Sequence, residues 1–455
     1  MKHDLTQGNV FGHLLRMSVP TMLGFSAQMA YDLVDIFWIG RISPEAVAGV
    51  TIFSTIFALI TTLNAIIGES SISLISQNFG RKDMEKTHLA IEQTITFKCF
   101  VALLTIAGTV FFLKPLLSLF STDPVVLKSA LDYGFLRLFF LPIMFSSYSV
   151  NTALRCIGDA KTPMKIMFTV SFLNIVLDPL FMFSTIPGTS IPGLGMGLFG
   201  AALATVVSQT LAFLIGFLYL FSGKAGVHPR FKRLFRLHWG IDKKLLTIGL
   251  PNGIEQFQRT LAGAIVLIFV SVFGTQVIAA TGVAGRIFGL AFMPLVGLSM
   301  GGATIVGQNL GAENVDRAHH VAKNAGLLGM GSMLLFTVVC WTMGGAIMRL
   351  FNPDPEIVRT GAEFLRFGSI GLTILAYGFG MAVVFSGSGF NIPYVVGGAA
   401  ARWLVQIPLL LLAIWVLRLP VIWVWLSYVF SDFAESAIYL LFFRQGRWRT
   451  RRVTV

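Results

Sequence analysis

Charge is what this chain has least of. Only 12% of its 455 residues are Asp, Glu, Lys or Arg, about half the share in a soluble domain. That excludes an ordinary water-soluble globular protein. Cysteine is nearly absent. Cys99, Cys156 and Cys340 all lie in or beside apolar runs and none forms a CxxC, so neither a disulfide framework nor a zinc site is indicated. The chain has no HExxH, no Ser-His-Asp order, no Asp-rich phosphate motif and no Walker sequence, which argues against a membrane enzyme and against internal ATP drive. Its histidines sit in polar connections or termini. The adjacent His319-His320 reads as a solvent-exposed pair, with pH sensing as the alternative. Acidic residues number 21 against 34 basic ones. In a soluble protein that excess would point to nucleic acid. Here the basic residues stand between apolar runs and in the tail, where they set topology, and no nucleic-acid partner is expected.

What is present is long apolar sequence. Hydrophobic residues make up 55% of the chain, and mean hydropathy is +0.77. A bilayer crossing takes about 20 such residues. The runs predict an all-α polytopic membrane protein with twelve spans. They fall at 14–40, 50–77, 90–113, 131–154, 166–183 and 194–221, then 245–271, 276–306, 322–348, 364–385, 394–417 and 421–443. No signal-peptide cleavage pattern precedes the first run, so it reads as a retained span. The basic bias places both termini in the cytoplasm and the chain in the inner membrane. The expected organisation is a six-helix lobe over 1–221, a basic connecting loop over 222–244, a second lobe over 245–443 and a basic tail over 444–455. The loop carries Arg230, Lys232, Arg233 and Arg236 and reads as a topology anchor, or as an inner-leaflet contact.

The halves repeat each other. Gln77-Asn-Phe-Gly80 returns as Gln308-Asn-Leu-Gly311, an offset of 231 (308 minus 77). Pro20 returns as Pro251, Gly158 as Gly389, and Phe120-Ser-Thr-Asp-Pro124 as Phe351-Asn-Pro-Asp-Pro355, all at that offset. Two copies of a six-helix unit enter the membrane in the same sense. They are then related by a pseudo-two-fold axis along the membrane normal, with a cleft between lobes. Gly80 and Gly311 are expected as left-handed helix C-caps, and Ser121 or Asp123 before Pro124, and Asn352 or Asp354 near Pro355, as N-caps.

Polar groups at membrane depth are the functional candidates, because a carboxylate there costs several kcal/mol unless paired, protonated or hydrated. Met29-Ala-Tyr-Asp-Leu-Val-Asp-Ile-Phe-Trp-Ile-Gly40 puts Asp32 and Asp35 on one face of the first span. Asp178 in the fifth span lies at a depth similar to Asp35, with Asn174 one turn back and Thr205 early in the sixth. These groups suit one proton or one small cation, since two carboxylates sharing a site favour holding a proton between them. Asn151, Tyr31, Tyr148 and Asp32 are further candidates. The structural alternative makes Asp178 a fixed acceptor and ties Asp35 to Arg41 or a backbone donor. In the second half, Asn252, Glu255, Gln256 and Arg259 form one polar stripe, and Glu255 precedes Arg259 by the spacing of a helical ion pair. That stripe is either a structural lock or part of a gated cleft. Arg137, Lys98, Arg286 and Arg402 either snorkel or pair with Glu69, Glu92, Asp432 or Glu435. Met29, Phe37, Phe257, Phe288, Met293 and Met300 predict a greasy, adaptable cleft for varied amphiphiles.

These segments together resemble the MATE (multidrug and toxic compound extrusion) transporters over nearly the whole chain. The likeness is carried by Tyr31-Asp-Leu-Val-Asp-Ile-Phe-Trp-Ile-Gly40, Gln77-Asn-Phe-Gly-Arg81, Leu154-Arg-Cys-Ile-Gly-Asp-Ala-Lys-Thr-Pro163, Asn174-Ile-Val-Leu-Asp-Pro179, the glycine-alanine stretch 193–209 and Gly307-Gln-Asn-Leu-Gly311. It implies a two-lobed antiporter that exports cationic or amphiphilic organic compounds by alternating access in exchange for H⁺ or Na⁺. No cofactor beyond that ion is implied, and the chain is expected to act as a monomer in the bilayer. The DinF-like branch of the family places its ion site on residues that fall here on Asp35, Asn174 and Asp178, with Thr205 and Asn151 in support. A bound Na⁺ would occupy Asp35, Asn174 and Asp178. The NorM-like branch adds acids in spans seven and ten. Glu255 falls earlier in span seven than that pattern expects, and the span-ten acid is missing, so the resemblance favours H⁺. The alternatives are Na⁺ coupling, or a lipid or metabolite flippase or permease of the same superfamily.

Overall fold

The computed structural model describes residues 4–453, almost all of them helical. The helices are α1 (Val10–Ile39), α2 (Pro44–Gly80), α3 (Met84–Val110), α4 (Leu113–Ser118), α5 (Pro124–Phe139), α6 (Leu141–Cys156), α7 (Lys161–Met182) and α8 (Gly197–Phe221). The second half has α9 (Trp239–Ser271), α10 (Thr275–Ala291), α11 (Met293–Gly311), α12 (Val315–Phe351), α13 (Pro355–Met381), α14 (Val383–Ser388), α15 (Ile392–Ala399), α16 (Ile407–Leu410) and α17 (Ile422–Gln445). Among the described residues, ten helices or fused helix pairs are long and apolar enough to cross a bilayer. Outside that set are α1, diluted by Gln28, Asp32 and Asp35, and the 16-residue pair α5 and α6.

Helix starts follow local chemistry. Ser43 accepts from Ala46 N ahead of Pro44, Asp123 from Val125 N ahead of Pro124, and Asp354 from Glu356 N ahead of Pro355. Each satisfies an orphan N–H, and proline at the first helical position loses nothing. Four starts recur at the sequence offset: Pro44 and Thr275, Met84 and Val315, Pro124 and Pro355, Lys161 and Ile392. The copies differ where a proline falls. Pro142 breaks the first half between α5 and α6, and Pro294 breaks the second between α10 and α11, while their counterparts run on as helix. Proline removes a ladder donor and clashes with the preceding turn. Helices α1 and α9 nevertheless continue through Pro20 and Pro251.

The halves meet reciprocally. Gln77 Nε2 donates to the Gly387 carbonyl at 2.9 Å and Gln308 Nε2 to the Cys156 carbonyl at 2.8 Å, and both donors and both acceptors stand 231 apart. The chain ends close over this seam. Val453 N donates to Gln77 Oε1 and Leu5 N to Gln308 Oε1. The expected role of Gly80 and Gly311 is corrected here. Neither takes the left-handed conformation, which falls to Lys82 (φ 62°) and Glu313 (φ 65°). These glycines serve close approach instead. A Cβ on Gly80 would stand 2.0 Å from the Gln308 carbonyl oxygen, and one on Gly311 2.0 Å from that of Gln77. The basic loop does more than anchor topology. It docks on α3, with Thr96 donating to the Leu234 carbonyl and Gln93 to that of Arg236, while Glu92 accepts from Arg230 N.

Candidate functional site

Helix α1 packs against α7, which brings Asp35 and Asp178 to one buried place. They are 7% and 0% exposed, and Asp178 lies in the field of the Asp35 carboxylate. Asn174 Nδ2 donates to Asp178 Oδ1 at 3.2 Å, one turn along α7, and stands 3.5 Å from Thr205 Oγ1 on α8. Among the described residues, three oxygens here have no hydrogen-bond partner: Asp35 Oδ1, Asp178 Oδ2 and Asn174 Oδ1. A buried acceptor without a donor costs roughly 1–3 kcal/mol, a cost that a proton or a small cation at these oxygens would relieve.

Two sequence expectations change. Asp35 is not tied to Arg41, whose guanidinium lies over the Phe37 ring at 4.6 Å. Its partner is Tyr133, which donates to Asp35 Oδ2 at 3.2 Å and accepts from Arg137 at 2.8 Å. Sequence reasoning missed Tyr133 and assigned Arg137 to other partners. The only available signal was their spacing of four on an apolar helix. Asn151 does not bond to the cluster. With Tyr148 it lines a neighbouring cavity of ≈ 430 Å³.

That cavity lies inside the first half. Helix α1 contributes Phe25, Gln28, Tyr31 and Asp32 to its wall, and the guanidiniums of Arg137 and Arg155 reach it from α5 and α6. A second cavity of ≈ 260 Å³ is lined by Glu69, Asn252, Glu255, Gln256, Met300 and Tyr394, and Ala65 borders both. Of the residues expected to make a greasy cleft, Met300 lines the second cavity, Phe37 and Phe257 are 54% and 56% exposed, and Phe288 packs among Phe336 and Phe364. In the wall of the larger cavity, apolar Phe25, Phe57, Met144, Met167 and Val170 stand with charged Asp32, Arg137 and Arg155.

The second-half stripe closes into a network. Arg259 pairs with Glu255 at 2.6 Å and with Glu435 at 3.2 Å, Arg402 pairs with Glu435 at 3.2 Å, and Tyr439 donates to Glu435 at 2.6 Å. Arg402 sits in a π-helical segment, Ala400–Gln406, a widening often found where a helix carries function. No group of three His, Cys, Asp or Glu side chains arranged to hold a metal occurs among the described residues.

Two stretches, 20–180 and 251–412, match the MatE family. The chain is 26% identical to the probable multidrug resistance protein YpnP of Bacillus subtilis (strain 168), over 99% of this chain and 98% of that one. It is 27% identical to a FAD transporter of Shewanella oneidensis, over 82% of each. Its fold is similar to that of a MOP superfamily transporter from Pyrococcus furiosus, with TM-score 0.89 and 23% identity over 97% of this chain and 96% of that one. An outward-facing multidrug resistance MATE family transporter also matches, with TM-score 0.89 and 23% identity over 99% and 98%.

Proposed function

The chain belongs to the MatE family, and from that premise we propose how it works as a secondary-active multidrug exporter, an antiporter and not an enzyme. Protons drive it through Asp35 and Asp178, as in the DinF-like branch. The observation that carries this reading is the pair of buried carboxylates on α1 and α7, each with an oxygen that nothing bonds. Bringing them together unprotonated is unfavourable, so a proton from outside settles the pair. Coupling needs no long route. Helix α1 holds Asp35, and within three turns it also holds Asp32, Tyr31, Gln28 and Phe25 of the cavity wall. Protonation changes what Asp35 offers to Tyr133, and any shift of α1 in response reshapes the cavity.

Twelve spans follow if α1 and the α5–α6 pair are counted with the ten. On that count both termini lie on one side, which the basic bias makes the cytoplasmic one, and the Gln77–Gln308 seam closes the cytoplasmic side of an inner-membrane monomer. The substrates are amphiphilic organic compounds. Na⁺ is the second reading, favoured by the free Asn174 Oδ1 beside two carboxylate oxygens, because hard cations choose oxygen ligands.

The deciding experiment is efflux from proteoliposomes under separately imposed pH and Na⁺ gradients, comparing wild type with Asp35→Asn and Asp178→Asn. A pH gradient alone should drive transport, and each variant should lose it. Normal transport by both variants sinks the carboxylate reading, and drive by Na⁺ alone sinks the proton reading.

A further inference from the structure

The larger cavity carries the wrong charge for an organic cation. Two guanidiniums, Arg137 and Arg155, face it against one carboxylate, Asp32. Arg137 is engaged. It donates to Tyr133, lies over the Phe57 ring at 4.7 Å, and sits in the field of Asp35 and Asp32. Arg155 is less so. It is 3% exposed, and among the described residues its one side-chain hydrogen bond goes to Thr152 Oγ1 at 2.8 Å. Among the described residues it has no ion pair within 4.0 Å. A guanidinium offers five N–H donors in a planar fork, so most of this one remains available at the cavity wall.

The surroundings strengthen the case. Lys98 is fully buried, its Nζ has no hydrogen-bond partner, and it stands 4.3 Å from the centre of the Tyr148 ring. Tyr148 is itself cavity wall, so the Lys98 amine lies directly behind that wall. Glu69 stands in the field of Arg155. Among the described residues it makes no ion pair within 4.0 Å, and it lines the smaller cavity instead. Aromatic faces are at hand, because Phe25 and Tyr148 each lie 5.9 Å from the Arg155 guanidinium carbon. Unbonded Ser171 Oγ adds a polar group to the wall. The volume, ≈ 430 Å³, is that of a site for a drug-sized molecule.

We infer that this cavity takes an amphiphilic organic anion, an aromatic body bearing a carboxylate, sulfonate or phosphate, with the acidic group on Arg155 and the ring against Tyr148 and Phe25. The inference rests on the exporter reading and narrows its substrate class. A planar oxyanion suits the guanidinium fork, and a bidentate contact fixes orientation as well as charge. Asp32, the carboxylate in the wall, stands in the field of Arg137.

The test uses two dyes with the same ring system and opposite charge, fluorescein and rhodamine 6G. Each binds the full chain in lipid nanodiscs with no gradient, read by fluorescence anisotropy. Fluorescein should bind more tightly. Arg155→Gln should weaken it by about tenfold or more while leaving rhodamine 6G unchanged or tighter. Arg155→Lys should keep part of the affinity. Ser147→Trp fills the cavity and should abolish fluorescein binding in a protein that stays monodisperse on size exclusion. Tighter binding of rhodamine 6G, equal loss of both dyes in Arg155→Gln, or fluorescein binding that survives Ser147→Trp overturns the inference. Transport is read separately in proteoliposomes. If fluorescein binds as expected but neither dye moves under any gradient, the exporter reading fails and the site stands. If the dyes move but the binding preference is reversed, the site fails and the exporter reading stands.

Discussion

The carbonyl oxygen of Ile66 lies 1.8 Å from where a Cβ on Gly249 would stand. The relationship is mirrored at the same offset, with the Ser18 carbonyl oxygen 2.5 Å from the Cβ position of Gly297. Backbone thus meets backbone across the two halves at two equivalent points. Gly249→Ala must push α9 off α2, and Gly297→Ala must push α11 off α1. Overpacking of this kind typically costs about 1–3 kcal/mol. Each variant should shift spin-label distances between the halves and lower transport. Gly263→Ala, with nothing within 4 Å of its Cβ position, should do neither.

Gln77 and Gln308 test the seam at the other level, that of hydrogen bonds. Each side chain both donates to a carbonyl of the other half and accepts from a chain end. Gln77→Ala leaves the Gly387 carbonyl and Val453 N–H unsatisfied, at about 1–3 kcal/mol. Labelling of an introduced Ser73→Cys, buried beside this seam, by an impermeant maleimide should speed up in Gln77→Ala. Unchanged labelling would show that the seam does not control access.

Glu435 holds together Arg259, Arg402 and Tyr439 while fully buried. Glu435→Gln takes from Arg402 its ion-pair partner and leaves Arg259 with Glu255 alone, and breaking a buried pair in this way costs about 3–5 kcal/mol. Thermal unfolding in detergent should show a larger drop for Glu435→Gln than for Glu255→Gln, because Glu255 balances only Arg259. Equal drops would make the network a set of independent pairs.

Tyr133→Phe removes the one donor to Asp35 and the acceptor of Arg137 while keeping the packing against Phe53. Transport driven by a pH gradient should fall while fluorescein affinity stays within a few-fold. Loss of both in parallel would make Tyr133 structural.

Asp83, outside the spans, caps α3. The hydrogen bond from Lys86 N holds its carboxyl below the usual carboxylate range, with the Lys86 ammonium 3.1 Å away. A group held below its unfolded value of about 3.9 contributes stability above that pH and loses it as pH falls through the folded value. Asp83→Ala should therefore lower the melting temperature at pH 7, by a cap worth roughly 1 kcal/mol. The gap from wild type should shrink below about pH 4. A gap independent of pH would assign the effect to something other than the cap carboxylate.

The repeat was legible in the sequence because it is a matter of counting. Gln77 and Gln308, Pro124 and Pro355, and Gly158 and Gly389 share one offset, and the last pair do share positive φ. That a cap precedes Pro124 and Pro355 was legible because capping is local, and the structure chose Asp123 over Ser121 and Asp354 over Asn352. Asp35, Asn174, Asp178 and Thr205 could be grouped from depth and helical spacing. Tyr133 could not, since nothing in its neighbourhood says that α5 turns this face to α1. Gly80 was misjudged for a related reason. Glycine after a helical run reads as a cap, and only the other half of the molecule shows the carbonyl that needs the space.

By itself, the order of residues determined the helices, their two-copy arrangement and the scarcity of carboxylates at membrane depth, because these depend on hydropathy, capping and spacing within a few turns. Tertiary structure decided the rest. It set which oxygen of Asp35 is bonded and which is bare, that Glu435 joins two arginines, and that Arg137 and Arg155 stand among apolar side chains in the wall of the larger cavity. Those are contacts between residues tens to hundreds of positions apart, and distance along the chain carries no information about them until the helices have packed.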